Sequence, residues 1–364
     1  MRQRLLWLDV LKGWGICFIV LGHIFGAGVH LSAGEAQKVC ALAYKYFYAF
    51  HVPLFFFVAG ITFRRCDWQD FLRRKAQRLL LPYFIIGLVS LVVYWGLHDV
   101  GKMILQLNDT TGFYTQKATY ASIGGYILTL VSGFSYGPMF APNSVLWFIP
   151  ALFSLEVIAQ LFVRKELNWK LWVLIGGVMW GIAHLLPLPT LPWLLNKAPY
   201  YFPFFVLGIL WGRCGWAIPQ KSVGRGILLI VLFGVLAIWN PYQYYERTLW
   251  QQVITWLIAC GNIFGWLWLT TAWAWRPMAF LGVCSLGIMV LHKFPMLLLQ
   301  NAIPCVRAFF QGDLLDLSLG IIVVFIGALA ISLIIYLFCL RYLPFVFGYV
   351  SWPMEFINWK KHNA

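Results

Sequence analysis

The chain has 364 residues, of which 62% are hydrophobic and only 11% charged. That composition excludes an ordinary soluble domain and a disordered chain. The net charge of +15 is spread among short loops rather than gathered on one face, which argues against nucleic-acid binding and for membrane topology.

Apolar stretches recur along the whole chain, and we read ten spans: about 10–29, 46–63, 80–98, 145–163, 171–187, 201–212, 226–240, 252–272, 280–300 and 318–340. The expected fold class is therefore all-α, a polytopic membrane helix bundle. The first apolar run is too long for a signal peptide and lacks a small-residue cleavage site. With the N-terminus in the cytoplasm, nineteen Lys and Arg fall at inner ends and seven in outer loops, with Lys293 inside the membrane. This bias holds loop by loop and predicts an even number of spans with both termini cytoplasmic. The segment Ser122–Phe134 is apolar but too short to cross, and reads as an interfacial or re-entrant piece. It lies within the longest outer loop, about 99–144, a candidate lid or acceptor surface. No separate soluble domain, repeat or linker is visible, so residues 1–364 are expected to form one transmembrane domain.

Span 1 carries Asp9, Lys12 and His23. Eleven residues along a helix make three turns plus roughly 20°, so Lys12 and His23 share a face roughly 16 Å apart. Asp9 neighbours Lys12 one turn away. Ionisable groups inside a membrane helix are costly, and function is the default reading. By residue count His23, His51 and His292 all lie about 20 Å from the inner face, so three of the seven histidines share a level. Lys293 adjoins the third. The bland alternative for His51 and His292 is an interhelical hydrogen bond. Gly22 and Gly26 flank His23 as a close-packing pair. Pro53 and Pro295 follow His51 and His292 and free backbone carbonyls, which is tolerated where backbone lines a cavity. Glu156, in the inner half of span 4, needs a cation, and the sequence leaves the choice open between Lys12 and Arg78.

The basic stretch Arg64–Arg78 has two readings. It is either a topogenic, lipid-facing cluster or an anion site for a cytosolic phosphorylated cofactor. Arg74 and Arg78 are four apart, on one helical face. No P-loop or G-x-G-x-x-G lies nearby, so side chains would hold the phosphates. The eight cysteines are scattered, without C-x-x-C or zinc-ligand spacing, and read as packing residues, so no metal is expected.

Four stretches resemble the acyltransferase-3 family of integral membrane acyltransferases, in its fucose 4-O-acetylase-like branch. They are Trp7-Leu-Asp-Val-Leu-Lys-Gly with Val20-Leu-Gly-His23; Tyr48-Ala-Phe-His51-Val-Pro-Leu-Phe-Phe-Phe-Val-Ala-Gly60; Arg74-Lys-Ala-Gln-Arg78-Leu-Leu-Leu-Pro82-Tyr; and Leu146-Trp-Phe-Ile-Pro-Ala-Leu-Phe153. The family's basic residue, ten-residue gap and histidine fall on Lys12 and His23. Its arginine pair is often separated by two residues. Lys75 and Arg78 have that spacing here, and Arg74 and Arg78 have three between them.

The resemblance implies an O-acyltransferase of the bacterial cytoplasmic (inner) membrane. It would use cytosolic acyl-CoA, in the first instance acetyl-CoA, to acylate a hydroxyl of a cell-surface or lipid-linked glycan. His23 would be general base or transient acyl carrier, with Lys12, Asp9, His51 and His292 as its partners. Arg74, Lys75 and Arg78 would hold the coenzyme A phosphates. The competing class is a proton-coupled transporter or flippase of a sugar or lipid-linked glycan. An inverted repeat would favour it, and none is visible.

Overall fold

The computed structural model describes residues 5–64, 66–105, 123–133, 143–163, 168–186, 188–189, 191–213, 222–240, 248–273 and 275–349. Much of the outer loop at 99–144 lies outside them. So do the cations Arg2, Arg4, Arg65, Lys117, Arg164, Lys165, Lys221, Arg247, Lys360 and Lys361 used in the topology count. Among the described residues the secondary structure is helical throughout, as expected where no water is present to satisfy an open backbone.

Each of the ten predicted spans falls on helix. In chain order these are α1 (Leu6–Leu31), α2 (Gly34–Thr62), α3 (Trp68–Lys75), α4 (Leu81–Leu105), α5 (Ile123–Ser132), α6 (Phe148–Val163), α7 (Trp169–Leu185) and α8 (Ala198–Arg213). They continue as α9 (Val223–Trp239), α10 (Leu249–Ala272), α11 (Arg276–Val283), α12 (Ser285–Leu291), α13 (Lys293–Leu297), α14 (Pro304–Gln311) and α15 (Leu314–Tyr342). Six helical segments are long and apolar enough to cross a bilayer unaided, and α7 and α9 are shorter apolar helices. Several helix starts are written in the sequence. Asn168, Ser222 and Asp313 each accept a hydrogen bond from the first turn they cap, and Thr248 forms a capping box with Gln251.

Helix α1 runs through the middle of the bundle, against α2 on one side and α11 to α13 on the other. It meets α11 backbone to backbone. A Cβ on Gly282 would sit 1.8 Å from the Asp9 carbonyl oxygen, so only glycine allows this approach. Beyond this centre, α2 pairs with α8, α7 with α8, and α9 with α10. Leu228 on α9 and Ile326 and Ile334 on α15 are 60–65% exposed. In water such faces would demand a partner; in a bilayer they meet lipid.

Two elements depart from the sequence reading. The stretch Arg64–Arg78 is largely helix rather than loop: α3 passes through a π-helical turn, Ala76–Leu80, into α4. The ninth span is not continuous. It breaks at Cys284 and again at His292, then ends in a second π-helical turn, Leu298–Ala302. Pro295 has no N–H for the carbonyl four residues back, which weakens the helix there. The short apolar segment expected at Ser122–Phe134, whose two end residues lie outside the described residues, contains α5, of ten residues, which packs on α4 and accepts a hydrogen bond from Tyr83 at the Leu130 carbonyl, 2.9 Å.

Candidate active site

The three predicted histidines converge. His23 comes from α1, His51 from α2 and His292 from the break between α12 and α13. The His23 ring centroid lies 5.3 Å from His292 and 6.5 Å from His51. His51 and His292 are buried, whereas His23 keeps accessible surface. α1 and α11 touch through glycine at two points, Gly282 against the Asp9 carbonyl and Gly13 against the Met278 carbonyl, and α1 also meets α12 and α13, which flank His292.

Hydrogen bonds orient two of the rings. His51 Nδ1 lies 2.6 Å from the Phe47 carbonyl oxygen, and His292 Nδ1 lies 2.8 Å from that of Met289. A carbonyl only accepts, so in each neutral ring Nδ1 carries the proton and Nε2 is a bare acceptor. His292 Nε2 is buried without a hydrogen-bond partner. Neither neutral ring can therefore donate to an oxyanion; each can receive a hydroxyl proton. His23 Nδ1 is 3.0 Å from the Tyr48 hydroxyl. Tyr48 sits one turn before His51 on α2, its ring centre 4.0 Å from that of Tyr44 and tilted 37° to it. When His23 Nδ1–H donates to this hydroxyl, Nε2 is free to act as a base.

Sequence reasoning did not single out Tyr48, Asn143 or Gln300. Asn143 is buried and donates through Nδ2 to the Val290 carbonyl, 2.9 Å, and to Ser90 Oγ, 3.2 Å. It thereby ties α12 to α4 just before His292. Gln300 is fully buried in the second π-helical turn and donates to the Ile24 carbonyl beside His23, 3.4 Å. The signals were weak: a tyrosine one helical turn from a histidine, and lone amides in apolar surroundings.

The cations form a second group toward the inner face. Lys12 pairs with buried Asp9 at 2.8 Å. This pair lies roughly 16 Å down α1 from His23, so it does not touch the histidines. Glu156 pairs with neither Lys12 nor Arg78. Its partner is Lys75, at 2.6 Å, and Glu156 Oε2 stays buried without a hydrogen bond. Arg74 is exposed and binds the Asp70 carbonyl through Nε, 3.1 Å. The π-helical turn after Lys75 shifts the 3.6-residue register on which the Arg74–Arg78 alignment was read. Arg78 instead stacks its guanidinium over the Tyr349 ring, 3.7 Å from its centroid. Among the described residues no group of three His, Cys, Asp or Glu is placed to hold a metal ion.

A lipid-faced helical bundle, a histidine cluster within it and a cationic inner end define a multi-pass membrane protein with an enzyme-like polar centre. The chain belongs to the acyltransferase-3 family: the family model, described as an acyltransferase domain, matches residues 5–337. That membership gives the chain an acyltransferase domain. It is also similar to the inner membrane protein YcfT of Escherichia coli (strain K12), 25% identical over 254 residues, which is 65% of this chain and 65% of that protein. The chain thus spans about two thirds of that relative's length. No solved structure matches it.

Proposed function

We propose that the protein is an acyl-CoA-dependent O-acyltransferase, working with acetyl-CoA on a hydroxyl of a glycan or lipid-linked sugar at the outer side of the bacterial cytoplasmic membrane. The observation that carries this reading is the His23 cluster. One imidazole with accessible surface is oriented by a tyrosine and flanked by two rings that are acceptors when neutral.

The residues at the inner mouth suit a phosphorylated donor. Arg78 has no carboxylate partner among the described residues, and its fork fits phosphate. Lys12, held by Asp9, lies on α1 about three turns before His23. The thioester of a bound donor would reach the histidine level, and the protein would thereby join a cytosolic donor to an outer acceptor without a soluble carrier.

In this mechanism His23 Nε2 takes the proton of the acceptor hydroxyl as its oxygen attacks the thioester carbonyl. The C–S bond breaks, and the departing sulfur recovers the proton from His23. Tyr48 accepts the Nδ1–H bond and so supports the imidazolium that forms between these steps. His292 Nε2 receives a second hydroxyl of the acceptor, which orients it. An acyl-histidine route uses the same residues, with His23 Nε2 as the attacking atom.

The test is thiol release from acetyl-CoA by the purified protein in nanodiscs, with candidate glycans present, for wild type and His23→Ala. Release that depends on His23 supports the reading. A folded wild-type protein that neither binds acetyl-CoA nor releases thiol overturns it, as a transporter would.

A further inference from the structure

The residues beyond the family match build a small structure against the π-helical turn that carries Arg78. Helix α15 ends at Tyr342, and Pro344–Phe347 form a 3₁₀ turn. Val346 and Phe347 are buried, with Phe347 edge-on to Tyr336 at 4.6 Å. Tyr336 in turn fills the space over Gly287 of α12. Gly348 adopts φ +69°, and a Cβ there would sit 1.8 Å from the Gln77 carbonyl oxygen. A left-handed residue in contact with backbone must be glycine. This turn locks Tyr349 in place beside the π-helical turn that carries Arg78, and π-turns are frequent at functional sites.

Three cations on α3 and this turn have different fates. Lys75 is committed to Glu156, and Arg74 to Asp70. Lys75 also lies 5.9 Å from the Phe71 ring centre, but Arg78 alone of the three has no acid partner among the described residues, and its guanidinium lies closest to an aromatic ring. Stacking occupies the face of a guanidinium and leaves its in-plane N–H donors available. It also restricts the rotamers of a long side chain before any ligand arrives.

We propose that Tyr349 is a positioning residue for the donor: its ring holds the Arg78 guanidinium edge-on to the phosphates of coenzyme A and so confers preference for phosphorylated over non-phosphorylated thioesters. This inference rests on the acyl-CoA reading above. It assigns a role to a residue outside the segment that the family match covers, 5–337.

The test compares full-length wild type, Tyr349→Ala, Tyr349→Leu and Tyr349→Phe in nanodiscs, with acetyl-CoA and with S-acetylpantetheine, which lacks the phosphates. Loss of the stacking face should raise KM for acetyl-CoA about three- to tenfold in the Ala and Leu variants. Their kcat should stay within about twofold and their KM for S-acetylpantetheine should not change. Phe keeps the ring and should behave as wild type. Leu keeps bulk at the site and decides the matter where Ala fails to fold. An equal rise for both donors, no rise for acetyl-CoA, or a Phe variant as defective as Leu overturns the proposal. Wild type inert toward acetyl-CoA, in binding and in turnover, overturns the donor reading itself and this inference with it.

Discussion

Among the described residues, Tyr48 supplies the hydrogen bond that orients His23. Removing the imidazole removes the proposed base, so His23→Ala should abolish acyl transfer while the protein keeps its size-exclusion profile. Retained turnover would reassign the chemistry. Tyr48→Phe deletes the hydrogen bond to His23 and leaves the ring in contact with Tyr44. It should lower kcat about tenfold with little change in KM, the cost of one orienting bond. The common level of the three histidines was legible because depth follows from residue count along a helix. Tyr48 was not legible as a partner, because its hydroxyl reaches His23 only through the rotation of α2 against α1.

Among the elements, the broken helix α11–α13 and the α3–α4 π-turn differ most from the regular spans read in the sequence. Each carries a polar residue of the candidate site: His292 at the interruption before Pro295, Arg78 within a π-turn. The Lys75–Glu156 pair locks the second of these to α6. Breaking a buried pair strands its partner, so Lys75→Ala should cost about 3–5 kcal/mol, read as a lower unfolding midpoint in detergent. The double variant Lys75→Met with Glu156→Leu should recover most of that loss. A raised KM for acetyl-CoA with an unchanged midpoint would instead make Lys75 a donor ligand. Gly282→Ala should also destabilise, since its Cβ meets backbone rather than a side chain that can move. Neither the break nor the π-turns were readable from periodicity, since they trade local hydrogen bonds for contacts between helices.

For the molecule as a whole, the polar centre and the lipid face are separated radially. The three clustered histidines and the Lys12–Asp9 and Lys75–Glu156 pairs lie within the bundle, and exposed aliphatic residues of α7, α9 and α15 surround it. The cation distribution in the sequence orients this body with α14 at the outer side. Cys305 on α14 is exposed. In a variant with the other cysteines replaced, it should react with a membrane-impermeant maleimide added outside intact cells. Protection until the membrane is opened would invert the topology and place the histidines nearer the opposite face.

The sequence by itself determined the helical membrane architecture, the ten apolar segments, the cation asymmetry and the depth of His23, His51 and His292. Hydropathy, charge and residue spacing are local properties, and the bilayer converts them directly into position along one axis. Only the tertiary structure decided which side chains meet. It paired Glu156 with Lys75 rather than with Lys12 or Arg78, His23 with Tyr48, and Arg78 with Tyr349. Those pairings depend on how each helix is rotated, tilted and broken against its neighbours. That is set by packing of glycine contacts and buried aromatic rings across the bundle, which no single segment encodes.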